Sequence, residues 1–214
     1  MSSLIFATDE EQILVATDTL SVTPEGEPFS FVSKAVHIPH LRTIVAGTGA
    51  GGFANRWALT ASTQMIVKGI MNLDYHTPAG LRELWSDYKK EYSLSNDFTT
   101  TVYQFGLSEE NGKVVSFAYR STNDFVSEPI GYGTGVKPEC STPDGNLIEA
   151  LPKMMEEQRA IQNQIPPESR IYIGGEIQAL YLTSQGCNSF LVSRFTDFLE
   201  NENAIFKNHA EPKR

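Results

Sequence analysis

Everything ahead of the small-residue run Gly47-Thr48-Gly49-Ala50-Gly51-Gly52 reads as short strands: Leu4 to Thr8, Ile13 to Ala16, Phe29 to Ile38 and Arg42 to Ala46. Asp9-Glu10-Glu11-Gln12 and Thr23-Pro24-Glu25-Gly26-Glu27-Pro28 separate pairs of these runs as turn material, so the chain opens as an antiparallel meander. The small-residue run fits G-x-G-x-x-G, follows an apolar run and precedes a helix, and Asp74 stands at the distance of a ribose-binding acid. A dinucleotide-binding unit needs a parallel second strand before that acid, whereas Met65 to Asp74 reads as a helix end. The motif also normally opens its domain, and here a meander comes first. Nicotinamide and flavin binding are therefore set aside. What remains is physical: glycines let backbone N–H groups approach an oxyanion or anion, or let a helix pack closely on a strand.

The rest of the chain alternates helices and strands in blocks. Ala54 to Met71 has helical spacing, and a second helix is expected from Thr77-Pro78, where Thr can cap and Pro can take the first helical position. Leu81, Leu84, Trp85, Tyr88 and Tyr92 form its apolar stripe. Residues 100–107 and 114–119 flank Glu110-Asn111-Gly112-Lys113 as a hairpin. A glycine-rich loop, Gly131 to Gly135, leads to helical spacing over 144–163, interrupted by Pro152. Ile171 to Leu182 and Phe190 to Phe195 read as a last hairpin. Strands, two helices, strands, helix, strands is an α+β or layered α/β/β/α pattern, not strict βαβ alternation. Residues 1–200 are expected to form a single domain, and 201–214 a polar C-terminal tail that frays.

Composition narrows the function classes. With 214 residues the chain can bury one substantial core without metal or disulfide staples. The formal charge of −9 disfavours nucleic-acid binding. No window approaches the ~18 consecutive apolar residues of a membrane helix. The N-terminus meets two acids by position ten with no basic region before its apolar residues, so a cleaved signal is not expected. Only Cys140 and Cys187 occur, and a fold of this size needs no bridge between them; a reducing cytoplasm is the simplest setting.

Three polar residues stand in apolar strand contexts: Ser2 at the terminus, Asp18 closing Ile13 to Asp18, and Lys34 inside Phe29 to Ile38. Each lies sixteen residues after the last. Removal of Met1, which a small second residue permits, gives Ser2 both a hydroxyl and a free α-amine. That amine has an ordinary pKa of about 8, so a modest downward shift matches it to neutral pH as a base. A nucleophile carrying its own amine as base is an established route to amide cleavage. A nearby Lys34 ammonium depresses the amine's pKa, and Asp18 keeps the lysine charged and aimed.

At these residues the sequence resembles the proteasome-type N-terminal nucleophile hydrolases, which include proteasome β subunits and the bacterial two-component protease peptidase. Ser2, Ala16-Thr17-Asp18 and Lys34 fall on that family's nucleophile, A-x-D strand end and strand-three lysine without a gap. Ala50-Gly51-Gly52-Phe53-Ala54-Asn55 looks like its A-G-G-x-A-D, Gly133-Thr134-Gly135 like its G-S-G, and Ile173-Gly174-Gly175 like its S-G-G. The resemblance covers most of residues 2 to 186. It implies a four-layer αββα sandwich of two antiparallel sheets and a peptide or small amide substrate. By that resemblance Gly47 or Gly51 supplies the oxyanion donor, Thr134 supports the terminus, and Ser21, Val32 and Phe53 line the pocket for the residue before the cut. It further implies a ring or helical homo-oligomer and admits an ATPase partner; the reaction needs water and no cofactor. Departures from the pattern are Ser2 where threonine is usual, Ile173 in place of the serine of S-G-G, and Arg170 where the supporting acid stands.

Blander readings stand beside these. Asp18 and Lys34 can be a structural ion pair, and Ser2-Ser3 only a polar start. His37 and His40 lack a third ligand nearby, so no metal is assigned. Glu109-Glu110 and Glu156-Glu157 read as solvated turns and faces, and Trp57 and Trp85 as packing. The rival to an amide hydrolase is a catalytically inactive structural or assembly subunit, motivated by the missing serine and acid.

Overall fold

The computed structural model describes residues 2–210. β1 (Leu4–Thr8) and β2 (Gln12–Asp18) form a hairpin whose turn is closed by the Asp9 carboxylate, which accepts the N–H groups of Glu11 and Gln12 at 2.8 and 3.0 Å. β3 (Leu20–Val22) and β4 (Pro28–Phe31) make a separate two-stranded ribbon, and β5 (Ala35–Ile38) and β6 (Thr43–Thr48) follow. Helices α1 (Phe53–Thr63) and α2 (Ile70–Glu91) come next, then β7 (Thr101–Leu107), β8 (Val114–Arg120), β9 (Ser127–Ile130) and β10 (Gly133–Lys137). Helix α3 (Leu147–Gln162), the hairpin β11 (Glu176–Thr183) and β12 (Gly186–Arg194), and helix α4 (Phe198–Ala210) complete the chain.

Two five-stranded antiparallel sheets result, one ordered β10-β1-β2-β11-β12 and the other β5-β6-β7-β8-β9. Strand alternation then builds three cores. Leu4, Phe6, Ile13 and Val15 of the first sheet meet Ile44, Phe105 and Ala118 of the second between the sheets. The outer face of the second sheet, with Val45, Val102 and Tyr119, is covered by Phe53, Trp57, Leu81 and Trp85 of α1 and α2. The outer face of the first, with Ile5, Leu14 and Ala16, is covered by Leu151, Met154 and Met155 of α3. The layers are therefore α, β, β, α. No helix among the described residues is long and apolar enough to cross a membrane.

Several expected boundaries move. The single run Phe29 to Ile38 is broken into β4 and β5, and Lys34 sits in the break, not inside a strand. The first helix stops at Thr63 instead of Met71, and the second starts at Ile70 instead of Thr77-Pro78. Its start is set by Glu109, whose carboxylate accepts the N–H groups of Met71 and Asn72 at 3.0 and 2.8 Å; Glu109, exposed in a turn as expected, is thus also a cap. Pro78 lies within the helix, where the preceding Thr77 Oγ1 donates to the Leu73 carbonyl at 2.8 Å. Pro152 likewise leaves α3 as one helix, capped by Asn146, which accepts the Ile148 N–H at 3.0 Å. Part of the expected glycine-rich loop is the edge strand β10. Most of the expected polar tail is α4, which stacks Phe198 on Phe31 at 4.9 Å and so braces the β3–β4 ribbon; residues 211–214 lie outside the described residues.

Candidate functional site

The site is organised around Asp18, the last residue of β2, which is fully buried. A carboxylate taken out of water this completely must have its lone pairs filled. Lys34 Nζ reaches both oxygens at 2.9 Å, the Ser3 N–H donates to Oδ1 at 2.9 Å, and the Gly174 N–H donates to Oδ2 at 3.2 Å. The N-terminal segment, the break after β4 and the segment entering β11 are thereby tied to one side chain. Lys34, whose side chain is 10% exposed, also donates to the Leu20 carbonyl at 2.6 Å. The two oxygens of one carboxylate subtend an angle at Nζ well below the tetrahedral angle between N–H bonds, so they occupy little more than one N–H direction. With Leu20 taking a second, one N–H of the ammonium has no acceptor among the described residues, and Lys34 borders the adjoining cleft.

That cleft, of about 370 Å³, has Ser2 and Lys34 in its wall together with Gly47 and Gly51. Ser2 is nearly buried. Met1, whose removal the sequence reading requires, lies outside the described residues. Ser21 from β3, Val32 just after β4, Ala54 and Asn55 from the start of α1, and Phe98 before β7 form other parts of the wall. Gly47 cannot carry a side chain: a Cβ there would press on Ala54 Cβ and stand 3.2 Å from the Thr101 carbonyl. Gly51 faces open space, and its carbonyl accepts the Tyr88 hydroxyl, which pins that peptide to α2. Both glycines expected as oxyanion donors therefore border the cleft.

Two sequence expectations fail here. Thr134 is exposed on β10, paired with Ala7, while the strand's other end, Lys137, pairs with Leu4 next to the terminus. It lies outside the cleft and cannot support Ser2. Phe53 is not a pocket residue: it is fully buried in edge contacts with Trp85 and Tyr88, centroids 4.9 and 5.3 Å away. The helical period turns Phe53 into the core and gives Ala54 to the cleft. Of the departures noted in sequence, Ile173 is core packing against α3, and the Arg170 guanidinium donates to the carbonyls of Asn163 and Ile165.

The sequence reading also missed residues that shape the site. Leu94, Pro167, Glu168 and Tyr172 reach the cleft from segments distant in sequence. Ser3 and Gln158 are both fully buried, and Ser3 Oγ donates to Gln158 Oε1 at 2.5 Å. Gln158 carried a readable signal, because it interrupts the apolar face that Leu151, Met154 and Met155 define on α3.

Comparison with known proteins supports the fold and corrects the family. No family model matches the chain, and no curated protein matches it. Among solved structures, Anbu (ancestral beta-subunit) from Yersinia bercovieri matches with a TM-score of 0.57, covering 98% of this chain and 94% of that one at 11% identity. The expected membership of the proteasome-type N-terminal nucleophile hydrolases is therefore withdrawn: the likeness at this identity is one of fold, a proteasome-like α+β sandwich, and goes no further.

Proposed function

We infer that this protein hydrolyses amide or peptide bonds with Ser2 Oγ as the nucleophile, once Met1 has been removed. The observation that carries the reading is the Lys34 ammonium, fixed by Asp18 and Leu20 in the wall of the same cleft as Ser2. In the first half-reaction the α-amine takes the proton of Ser2 Oγ as that oxygen bonds to the substrate carbonyl carbon. The resulting oxyanion is met by a backbone N–H of Gly47 or Gly51. Collapse breaks the C–N bond, the proton passes from the ammonium to the leaving nitrogen, and an ester on Ser2 remains. Water, deprotonated by the same amine, then attacks the ester and releases the acid and the free serine. Lys34 lowers the amine's pKa through its positive charge, and a third N–H of Nζ steadies the serine oxygen. No step needs a cofactor.

Ser21, Val32, Ala54 and Asn55 are the residues in this reading that meet the substrate before the cut. The test is turnover of a panel of short peptide amides by the wild type and by Ser2→Ala. Loss of all turnover in Ser2→Ala supports the reading, and unchanged turnover overturns it. A second reading, an inactive structural or assembly subunit, is favoured by one observation: Thr134 lies outside the cleft, and the Arg170 guanidinium, which borders it, is taken up by the carbonyls of Asn163 and Ile165. Under either reading the protein is a homo-oligomer; a monomer by light scattering counts against that part.

A further inference from the structure

We propose that Gln158 of α3 is a positioning residue for Ser2, acting through Ser3; the inference rests on the hydrolase reading above. Helix α3 lies under the first sheet with an apolar face, yet that face carries two glutamines one turn apart, Gln158 and Gln162, both buried. Buried amides are tolerated when their partners are supplied, and each of these is supplied from a segment that reaches Asp18. Gln158 Oε1 accepts Ser3 Oγ at 2.5 Å, while its Nε2 donates to the Pro138 carbonyl, so the amide is fixed at both ends. Gln162 Oε1 accepts the Ile171 N–H at 2.9 Å, just ahead of Gly174. Among the described residues, Ser3 and Gly174 are the backbone donors to Asp18.

The consequence is geometric. Ser3 is held from two directions, its N–H by the carboxylate that holds Lys34 and its hydroxyl by Gln158. Ser2 is one peptide away, so those two bonds fix the peptide plane and the Cα from which its Oγ and amine project. A terminus is otherwise the most poorly tied part of a chain. With Thr134 too far along β10 to help, the Ser3 to Gln158 bond supplies this restraint from the helix layer.

The test uses the protein after loss of Met1 and a β-lactone probe. Ser2 Oγ bonds to the ring carbonyl carbon, the ring C–O bond opens, and the serine proton ends on the released hydroxyl. Inactivation rate and probe affinity are measured separately, well below each variant's melting temperature. Gln158→Met and Ser3→Ala are each expected to slow inactivation by about 10- to 100-fold, the scale of a displaced reacting group, with probe affinity little changed. Ser3→Thr, which keeps the hydroxyl, recovers most of the rate. Met155→Ala, a change in the apolar face of the same helix, lowers the melting temperature and leaves the rate alone. Gln158→Met reacting at the wild-type rate overturns the role of Gln158 only. A wild type that is never labelled at Ser2 overturns the hydrolase reading and the positioning role with it.

Discussion

Replacing Lys34 by methionine tests whether the Asp18 cluster is as buried and as interdependent as its geometry indicates. The substitution keeps the chain length and removes the ammonium. It leaves a fully buried carboxylate whose remaining partners are the N–H groups of Ser3 and Gly174. Breaking one side of a buried pair costs about 3–5 kcal/mol. For a chain of this size each kcal/mol moves the melting temperature by roughly 2–4 °C, so Lys34→Met should melt about 6–20 °C lower. Adding Asp18→Asn removes the stranded charge. The new amide can still accept the Ser3 N–H through its oxygen, but its NH2 group then faces the Gly174 N–H. At least one buried donor, the Gly174 N–H, is left unpaired, at about 1–3 kcal/mol. The double variant is therefore expected between the single variant and the wild type. Circular dichroism melts at pH 7 decide it. A shift under about 1 °C for Lys34→Met, or a double variant as stable as the wild type, refutes the reasoning.

Other outcomes follow from the same structure. Burial raises the pKa of Glu109, but the N–H groups of Met71 and Asn72 outweigh it and hold the carboxyl below its ordinary value. A lowered folded pKa means stability that is present above the unfolded value of about 4.3 and lost as pH falls through the folded one. Glu109→Ala should thus cost about 1 kcal/mol at pH 7 and progressively less as the pH falls below about 4, read from melts across that range. Val32→Trp, in the cleft wall, should raise KM for peptide amides at unchanged melting temperature, whereas Phe53→Leu, in the core, should lower the melting temperature at unchanged KM; the reverse pattern would return Phe53 to the pocket.

Much of the layer order was legible because it depends on local periodicity. β1 was read with its observed bounds from the apolar run Leu4 to Thr8, and the hairpin of β7 and β8 from the turn at Asn111-Gly112. What failed depends on partners far away in sequence. The start of α2 is fixed by Glu109, 38 residues from the Met71 N–H it accepts, and local cap rules chose Thr77-Pro78 instead. β3 is three residues long, too short to show alternation. In the site, Asp18 and Lys34 stand out because a charge in an apolar run of sequence is conspicuous, and the structure joins them at 2.9 Å. Thr134 was misread because a glycine pattern gives no strand register: pairing with Ala7 is decided by the sheet. Phe53 and Ala54 differ by one residue and about 100° of helix, which separates core from cleft.

The most direct measurement is the mass of the protein after exposure to the β-lactone, followed by mapping of the labelled peptide. The hydrolase reading expects loss of Met1, one added acyl group, and its location on Ser2, with none on Ser2→Ala. A protein that retains Met1 and takes up no acyl group contradicts it, and Asp18 and Lys34 are then the scaffold of an assembly subunit.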